Sequence, residues 1–348
     1  MSDRVDFQTA TVTGATGHLG NVLVRELLRR GKRVRALVEA GDDARALEGL
    51  DVEVVRGDVL RPETLAPAFA GAEVVFHLAG VVSISSLDIE IVRTVNVDGT
   101  RNVVEAARRA GVRRLVYTSS VHALTEPGTG GVLTEEAGYD PERAPGDYGK
   151  AKAAASRIVL DAARDGLDAV IVNPVYVLGP FDYRLSEIGE VIVMFSRFPV
   201  PAGMDGCYDF IDVRDVATGH VLAAERGRTG ESYLLSGERM TVRELMRQLA
   251  GLAGRKPPRL FIPLKIAAGL AAFAPVFEKV TRRRALLTPY AVHTLAVDFE
   301  IRDRKAREEL GHAPRPVAET LRDAWAWMKG DPGSPLNRPM PPRRPGRA

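Results

Sequence analysis

Cysteine and metal-ligand patterns are nearly missing from this sequence. Cys207 is the one cysteine among 348 residues, which rules out a disulfide within the chain and suits a reducing compartment. The six histidines are scattered without the spacing of zinc ligands, so no metal site is indicated. His77 falls in an apolar run and is expected to be packed rather than catalytic. Neither a disulfide framework nor a bound metal is expected to hold this fold together.

The chain also lacks the patterns of nucleic-acid-binding and membrane-spanning proteins. Its 48 basic and 45 acidic residues nearly balance, and no basic stripe is interleaved with aromatic residues, so no nucleic-acid partner is expected. The start has no apolar signal-peptide core, and Pro263, Lys265 and Pro275 interrupt the most apolar segment, residues 260–277. We expect a cytoplasmic protein with no integral membrane span and with residues 260–277 as a buried helix. A peripheral membrane contact is the alternative.

The most informative stretch is residues 13–20, which read TGATGHLG and lie between an apolar run and a helical pattern. Glycines at this spacing let the backbone turn tightly and approach a pyrophosphate. The N–H groups of the helix N-terminus then donate hydrogen bonds to the phosphate oxygens. A second apolar run follows Gly31, as in a strand–helix–strand unit. The stretch therefore predicts a dinucleotide site.

Apolar runs of the β type alternate with helical patterns through the first half of the chain. This alternation is typical of an α/β fold with a Rossmann-type, doubly wound parallel sheet. A smaller α/β substrate-binding region is expected toward the C-terminus, where the alternation breaks down. The expected strands are residues 10–12, 34–38, 52–55, 74–78, 115–118 and 169–172.

The same patterns divide the chain into two domains and a tail. The nucleotide-binding domain is expected to span residues 8–180, and residues 209–235 return to it with a strand-to-helix pattern. The small substrate-binding domain and its lid take residues 181–208 and 236–328. The Pro- and Arg-rich end, residues 329–348, is expected to be disordered.

Tyr148 and Lys152 lie four residues apart at the start of a predicted helix, so their side chains share one face. A lysine ammonium beside a phenol lowers the pKa of the phenol, which lets the tyrosine exchange a proton with a carbonyl or an alcohol. The pair alone is compatible with an ordinary helix start. Other candidates support the functional interpretation, because ligands of doubly wound sheets bind beyond the carboxyl ends of the strands. The candidates at such ends are Asp58, Ala79, Gly80, Ser119, Ser120 and Pro174.

Together these motifs resemble the extended short-chain dehydrogenase/reductase family, of the NAD-dependent epimerase/dehydratase type. The Thr-Gly-x-x-Gly-x-x-Gly of that family matches residues 13–20, and its Tyr-x-x-x-Lys matches Tyr148 and Lys152. Its catalytic serine is most similar to Ser120, with Ser119 as the second choice. The pattern is closest to the dihydroflavonol-reductase-like and 3β-hydroxysteroid-dehydrogenase-like branch, and the resemblance covers almost the whole chain.

The resemblance implies a mechanism. Tyr148 would act as general acid or base on the substrate oxygen, Lys152 would hold the nicotinamide ribose and keep Tyr148 acidic, and Ser120 would hydrogen-bond the same oxygen. Hydride would pass between the nicotinamide and the substrate carbon. The cofactor is expected at Gly14, Thr16, Gly17, His18, Leu19, Gly20, Glu39, Asp58, Val59, Leu78, Ala79, Gly80, Asn96, Tyr148, Lys152, Pro174 and Val177.

The cofactor is expected to be NAD(P)(H), and Glu39 favours NAD weakly. NAD sites of this fold place an acid at the end of the second strand, whereas NADP sites place an arginine nearby. When the sequence is aligned on Gly31, Val38 stands at the position where NAD-binding relatives carry the acid. The next residue, Glu39, stands where NADP-using relatives often carry Arg. A carboxylate there should repel a 2′-phosphate, although Arg45 could swing in and Glu39 could be a solvated loop residue.

The substrate class is predicted from three stretches. Val121 and His122 follow Ser120 where sugar-nucleotide dehydratases carry an Asp-Glu pair, so dehydratase chemistry is not expected. Tyr208 stands where nucleotide-sugar epimerases commonly carry an arginine that grips diphosphate. The expected lid, within residues 181–204, is apolar and favours an apolar ketone or alcohol. The alternative for the lid is an ordinary helix packed on the core.

We therefore predict an NAD(P)-dependent oxidoreductase that reduces a ketone or oxidises a secondary alcohol on a fairly apolar small molecule. A nucleotide-sugar epimerase with tightly bound NAD is the alternative, and a non-catalytic nucleotide-binding sensor is the third interpretation. Ser120, Tyr148 and Lys152 argue against a sensor, which does not need them. The helices after Asn96 and Tyr148 are Ala-rich and long, and because such helices pair across a two-fold axis in the family, a homodimer is expected.

Overall fold

Strands and helices alternate through most of the chain. The structure is a computed structural model that describes residues 5–83, 85–281, 285 and 287–337. The β-strands in that part of the chain are β1 (Thr9–Thr13), β2 (Arg33–Val38), β3 (Glu53–Arg56), β4 (Val74–His77), β5 (Arg114–Thr118), β6 (Val132–Leu133), β7 (Ala169–Pro174), β8 (Tyr176–Leu178), β9 (Ala202–Met204), β10 (Cys207–Asp212), β11 (Ser232–Leu235), β12 (Glu238–Thr241), β13 (Leu260–Ile262) and β14 (Glu300–Ile301). The α-helices are α1 (His18–Arg29), α2 (Leu65–Phe69), α3 (Ile89–Arg93), α4 (Gly99–Arg109), α5 (Gly146–Arg164), α6 (Glu187–Arg197), α7 (Val213–Arg226), α8 (Val242–Leu252), α9 (Leu264–Ala271), α10 (Ala274–Thr281), α11 (Pro289–Leu295) and α12 (Val317–Gly330).

The main sheet has seven strands in the order β11-β7-β5-β4-β1-β2-β3. Every pair of neighbours in it is parallel. The chain runs outward from β1 to β2 and β3, and then returns to β4 on the other side of β1. A crevice that can take a ligand opens at such a reversal, outside the carboxyl ends of the strands. The predicted α/β, doubly wound fold is confirmed.

Helices cover both faces of the main sheet, and successive strand residues therefore pack into two separate cores. On one face, Val116 of β5 belongs to a core with Leu23 of α1 and Val221 of α7. On the other face, Leu115 belongs to a core with Val103 of α4. This arrangement explains why the strands read as continuous apolar runs rather than as alternating ones.

His77, at the end of β4, is buried in the main sheet, as the sequence predicts. Its Nδ1 lies 2.8 Å from the Thr13 hydroxyl of β1, and its Nε2 lies 3.0 Å from the Thr100 hydroxyl of α4. Burial lowers the pKa of His77 to about 3, so the ring is neutral near neutral pH. His77 thus joins β1, β4 and α4 through hydrogen bonds.

A smaller region is built from a three-stranded sheet, in the order β12-β10-β8, and from α6, α8 and α12. The Ser186 hydroxyl caps α6, and this helix buries Ile188, Ile192 and Phe195 in a core with Leu249 of α8. These three side chains of the expected lid therefore pack inside the protein, whereas Met194 and Phe198 are exposed. The core accounts for the three buried side chains, so these three do not support an apolar substrate.

Residues 260–277 do not form the buried helix that the sequence predicts. They form β13, α9 and the first half of α10, and large side chains such as Ile266, Leu270 and Phe273 are exposed. The buried positions of α9 are instead Ala267 and Ala271. No helix among the described residues is long and apolar enough to cross a membrane.

The ordered chain continues past residue 328, where the sequence analysis places the last domain boundary. Residues 329 and 330 complete α12. The buried Ser334 hydroxyl then donates to the Met328 carbonyl at 2.6 Å, and the Asn337 side chain donates to the Asp331 carbonyl at 2.8 Å. These contacts fold residues 331–337 back on α12. The rest of the expected tail, residues 338–348, lies outside the described residues.

We expect the protein to lose stability as the pH falls from about 7 to about 5, because buried His220 stays neutral. Burial lowers the pKa of His220 to about 4, and its ring bonds to the Val216 carbonyl and the Thr118 hydroxyl. An unfolded histidine binds a proton near pH 6.5, so acid favours the unfolded state by about 2 kcal/mol over this interval. Urea unfolding of His220→Gln should show a correspondingly smaller loss than the unsubstituted protein.

His293→Gln is the control for that measurement. Glu126 raises the pKa of His293, so this histidine binds its proton more tightly in the folded state. Its removal should make the loss of stability in acid larger rather than smaller. Equal pH dependence of His220→Gln and the unsubstituted protein would contradict the assignment of a neutral buried ring.

Candidate active site

The glycine turn connects β1 to α1. Gly14 has φ +68°, and the Gly17 N–H donates to its carbonyl at 3.0 Å. A Cβ on Gly20 would lie 2.0 Å from the Gly14 carbonyl oxygen, so the turn closes only with glycine there. Gly17 precedes α1 and has no side chain to cap it, and the first turn of α1 contains no acidic residue. Such an uncapped helix N-terminus fits the diphosphate of a dinucleotide.

The end of β4 lies directly beside this turn. The Thr13 hydroxyl accepts hydrogen bonds from the Leu78 N–H at 3.2 Å and the Ala79 N–H at 3.1 Å. A Cβ on Gly14 would lie 2.7 Å from the Ala79 nitrogen. The predicted cofactor positions after β1 and after β4 therefore face each other at the reversal point of the sheet.

Gly80, which follows β4, lies close to two further candidate residues, Asn96 and Lys152. A Cβ on Gly80 would lie 2.6 Å from the Asn96 side-chain oxygen and 3.4 Å from the Lys152 Nζ. Asn96 sits in a π-helical turn, Thr94–Asp98, and its amide bonds to both the N–H and the carbonyl of Val81, at 3.2 and 2.8 Å. Asn96 thus holds the backbone after β4 close to Lys152, in the kind of local π-turn that is frequent at functional sites.

The structure separates the two serine candidates. The Ser119 hydroxyl lies 2.7 Å from the hydroxyl of Ser156 of α5, and both side chains are buried. Ser120, by contrast, lies beside the Tyr148 phenol; burial raises the pKa of this phenol, and the hydrogen bond with Ser120 offsets part of that rise. Its own oxygen also accepts from the His122 N–H at 3.3 Å. Of the two, Ser120 is therefore the one that shares a site with Tyr148.

Tyr148 and Lys152 occupy the first two turns of α5, and both are buried. The Lys152 Nζ donates to the Thr118 carbonyl at 2.8 Å and lies 3.4 Å from the Tyr117 hydroxyl. Burial lowers the pKa of Lys152 to about 7 and raises the pKa of Tyr148 to about 12. The sequence predicts instead that Lys152 lowers the pKa of Tyr148. Here the ammonium is directed at Thr118, and burial decides the pKa of the phenol.

The remaining predicted positions lie along the same edge, with one exception. Glu39 follows β2, Asp58 follows β3, and Pro174 ends β7. Val59 is buried against the first turn of α4. Val177 is the exception, because it belongs to β8 of the smaller sheet.

The start of the expected lid crosses the glycine turn, which is a contact that the sequence did not indicate. The Pro180 carbonyl lies 3.0 Å from the His18 ring, and the Arg184 guanidinium donates to the Thr16 carbonyl at 3.0 Å and to its hydroxyl at 2.6 Å. Arg184 also pairs with the carboxylate of Asp42, which follows β2. Leu19, in the first turn of α1, packs on the core beneath. No local pattern could reveal Arg184, since 168 residues separate it from Thr16.

A second group that sequence reasoning missed is an aromatic wall beside Ser120 and Tyr148. We use this name for His122, Tyr176, Tyr208 and Tyr290. The ring centroids of Tyr176 and Tyr208 are 4.1 Å apart, and the His122 ring lies 6.2 Å from Tyr176 and 5.7 Å from Tyr290. Burial lowers the pKa of His122 to about 4. The wall is therefore uncharged near neutral pH.

Tyr290 closes the aromatic wall over the start of α5. A Cβ on Gly146, where φ is +63°, would lie 2.5 Å from the Tyr290 ring. The Tyr290 hydroxyl is buried and has no hydrogen-bond partner among the described residues. A buried hydroxyl without a partner is costly, which marks this atom as a candidate contact for a bound molecule.

Comparison with known proteins agrees with this geometry. A model of the NAD dependent epimerase/dehydratase family matches residues 10–236. Sterol demethylase protein B of Methylococcus capsulatus is 38% identical over 325 residues, which cover 92% of this chain and 98% of that protein. A putative dihydroflavonol 4-reductase of Synechocystis sp. is 36% identical over 325 residues, covering 91% of this chain and 94% of that one.

Two further similarities extend the comparison. A ketoreductase of Stigmatella aurantiaca, named for 4-hydroxy-2-methyl-3-oxo-4-farnesyl-3,4-dihydroquinoline-1-oxide, is 33% identical over 316 residues, covering 90% of this chain and 94% of that protein. The crystal structure of gox2253 is similar with a TM-score of 0.81 at 33% identity, covering 94% of this chain and 100% of that one. The two relatives that are named as reductases thus align with nearly the full length of this chain.

Gly20→Ala is expected to weaken binding of a nicotinamide dinucleotide by more than about tenfold, because the added methyl would overlap the Gly14 carbonyl and force the turn open. Isothermal titration with NAD(H) and NADP(H) measures the change, and circular dichroism checks that the variant is folded. Gly251→Ala in α8 is the matched control, since a methyl there meets nothing within 4 Å. Unchanged affinity in folded Gly20→Ala would show that the dinucleotide binds elsewhere.

Proposed function

Because this chain belongs to the NAD-dependent epimerase/dehydratase family, we propose that it interconverts a ketone and a secondary alcohol on an apolar small molecule. The chain is an NAD(P)-dependent oxidoreductase of the extended short-chain dehydrogenase type. The observation that carries the proposal is that Ser120 and Tyr148 lie side by side at the carboxyl edge of the sheet, with Lys152 one turn further along α5.

The proposed proton transfer runs through Tyr148. In the reducing direction its phenol donates a proton to the substrate oxygen, and in the oxidising direction its phenolate takes the proton back. Ser120 donates a hydrogen bond to the same oxygen. Hydride transfer is the chemistry that a nicotinamide supplies when it is bound. Since burial raises the pKa of Tyr148 to about 12, the phenol is in the form that can donate a proton near neutral pH.

Binding of the dinucleotide is assigned to the elements around the reversal point of the sheet. The uncapped N-terminus of α1 and the backbone of residues 14–20 would hold the diphosphate, with Arg184 nearby as a cation. The backbone after β4, held by Asn96, would border the nicotinamide end. Lys152, which lies 3.4 Å from where a side chain on Gly80 would begin, would hold the ribose there.

The substrate class follows from the aromatic wall. Tyr208 occupies the position where a nucleotide-sugar enzyme would need a cation for diphosphate, and its ring stacks on Tyr176 instead. His122 adds a neutral ring, since burial lowers its pKa to about 4. Flat aromatic surfaces of this kind suit an apolar, ring-containing substrate. The names of two relatives, which refer to a sterol and to a farnesylated quinoline, support the same class.

Tyr148→Phe is expected to lower kcat by about 10²–10⁴-fold, because the ring stays in place while the transferable proton is lost. A panel of sterols, prenylated ring ketones and flavonoid ketones with both cofactors, followed by nicotinamide absorbance, identifies the reaction and measures kcat. Tyr233→Phe is the control. It also removes a buried-ring hydroxyl, which donates to Glu309 at 2.8 Å, but it lies on β11 away from the wall.

Two results would oppose the proposal. One is turnover of Tyr148→Phe at the rate of the unsubstituted protein. The other is conversion of a nucleotide sugar with no net change in nicotinamide absorbance and with cofactor that stays bound, which is the behaviour of an epimerase.

We also propose that the chain prefers NAD to NADP by at least about tenfold, or about 1.4 kcal/mol. Glu39 follows β2, where a 2′-phosphate would bring further negative charge. Arg45, which could have neutralised it, pairs with Asp43 at 2.6 Å. Titration of both cofactors tests this preference, and Glu39→Gln should reduce it while Glu48→Gln, on the same loop, should not. Tighter binding of NADP(H) by the unsubstituted protein would contradict it.

A further inference from the structure

In two short helices, α9 and α10, the small side chains are buried and the large apolar ones are exposed. This is the reverse of an ordinary amphipathic helix. Along α9 and α10 the buried positions are the small Ala267, Ala271 and Ala274, together with Glu278. The large apolar side chains point to solvent: Ile266 is 57% exposed, Leu270 56%, Phe273 71%, Val276 62%, Phe277 47% and Val280 76%. We call these six the apolar face. Large apolar side chains that are exposed close together on a folded protein mark a binding surface.

The exposed charges of the chain segment that carries the apolar face have one sign. Residues 255–284 contain eight lysines and arginines and a single acid, Glu278. Glu278 is buried, and its carboxylate accepts from the Ser85 and Ser86 hydroxyls at 2.7 and 2.5 Å. Every exposed charge that the structure describes in this segment is therefore positive. The exposed ones are Lys256, Arg259, Lys265 and Lys279.

We propose that the apolar face docks this protein on a membrane surface that contains anionic lipid. Large apolar side chains flanked by lysine and arginine are what an interfacial helix uses, with its apolar side at the acyl boundary and its cations among the lipid phosphates. Two helices of eight residues each lie on a bilayer and do not cross it. A second copy of the chain is the less suitable occupant, because a two-fold contact would bring the Lys265 and Lys279 of each copy together.

Both helices contact elements that border the site. Glu278 of α10 holds Ser85 and Ser86, which follow Gly80 and Val81 on the loop after β4. Ala267 and Ala271 of α9 pack against Val292 of α11, and α11 also carries Tyr290 of the aromatic wall. The docking surface is thus joined directly to the cofactor side and the substrate side of the crevice. On the proposed function, an apolar substrate would reach the site from the bilayer without crossing water.

The test is co-sedimentation of the full chain with vesicles of phosphatidylcholine alone and with about 30% phosphatidylglycerol. We expect binding to the anionic vesicles and at least about tenfold weaker binding to the neutral ones. Salt at about 500 mM should weaken the anionic binding, since it screens the cations. No substrate or turnover is needed, so this result stands apart from the activity of Tyr148→Phe.

Substitutions then locate the surface. The triple variant Phe273→Ser, Val276→Ser and Val280→Ser should bind anionic vesicles at least about tenfold more weakly and keep its nicotinamide affinity, because all three side chains are exposed. Val54→Ser, at an exposed position on the edge strand β3, is the matched control and should bind as before. Lys265→Gln with Lys279→Gln should reduce the preference for anionic lipid, since two of the exposed cations are removed.

Three outcomes would overturn the proposal. The unsubstituted chain could stay in solution with both kinds of vesicle. The triple variant could bind vesicles as well as the unsubstituted chain. The third is self-association without lipid that the triple variant abolishes, which would assign the apolar face to a second copy of the chain.

Discussion

The close approach of two backbone segments, at the ends of β1 and β4, is the constraint on which the site depends. A side chain on Gly14 would collide with the backbone of Ala79, and the Thr13 hydroxyl holds Leu78 and Ala79 by two hydrogen bonds. The chain reverses its direction of travel across the sheet between these two strands. The glycine turn and the α1 N-terminus therefore lie on one side of a narrow crevice, and the groups held by Asn96 lie on the other.

Burial governs the chemistry on that second side. It disfavours the charged forms of both Tyr148 and Lys152, and it moves their pKa values to about 12 and about 7. Ser120 offsets part of the effect on the phenol, whereas the ammonium is directed at the Thr118 carbonyl. Formation of a phenolate near neutral pH thus requires positive charge closer to the phenol than Lys152 alone provides here. The site favours the protonated phenol, which is the form that the proposed proton donation to a substrate oxygen would use.

In the smaller region, the apolar pattern of the sequence does not show whether a side chain packs in the core or is exposed. Ile192 and Phe195 of α6 looked like a lid and are core. Phe273 and Val276 looked like core and are exposed. The aromatic wall was also hidden, because Tyr176, Tyr208 and Tyr290 come from β8, β10 and α11, and no spacing in the sequence connects them. In each case the deciding fact is which element packs on the other face, and that is a property of the assembled fold.

By itself the sequence determined the parallel sheet, the glycine turn and the helix with Tyr148 and Lys152, because strand and helix periods and glycine requirements are local. It also placed the candidates at one edge of the sheet, since parallel strands end together. The tertiary structure placed Ser120 rather than Ser119 beside Tyr148. It also brought Arg184 to Thr16, 168 residues away in sequence, and exposed the large apolar side chains of α9 and α10. These outcomes depend on side-chain direction and on contacts between distant segments. Burial also sets the pKa of Tyr148, and burial exists only once the chain is folded.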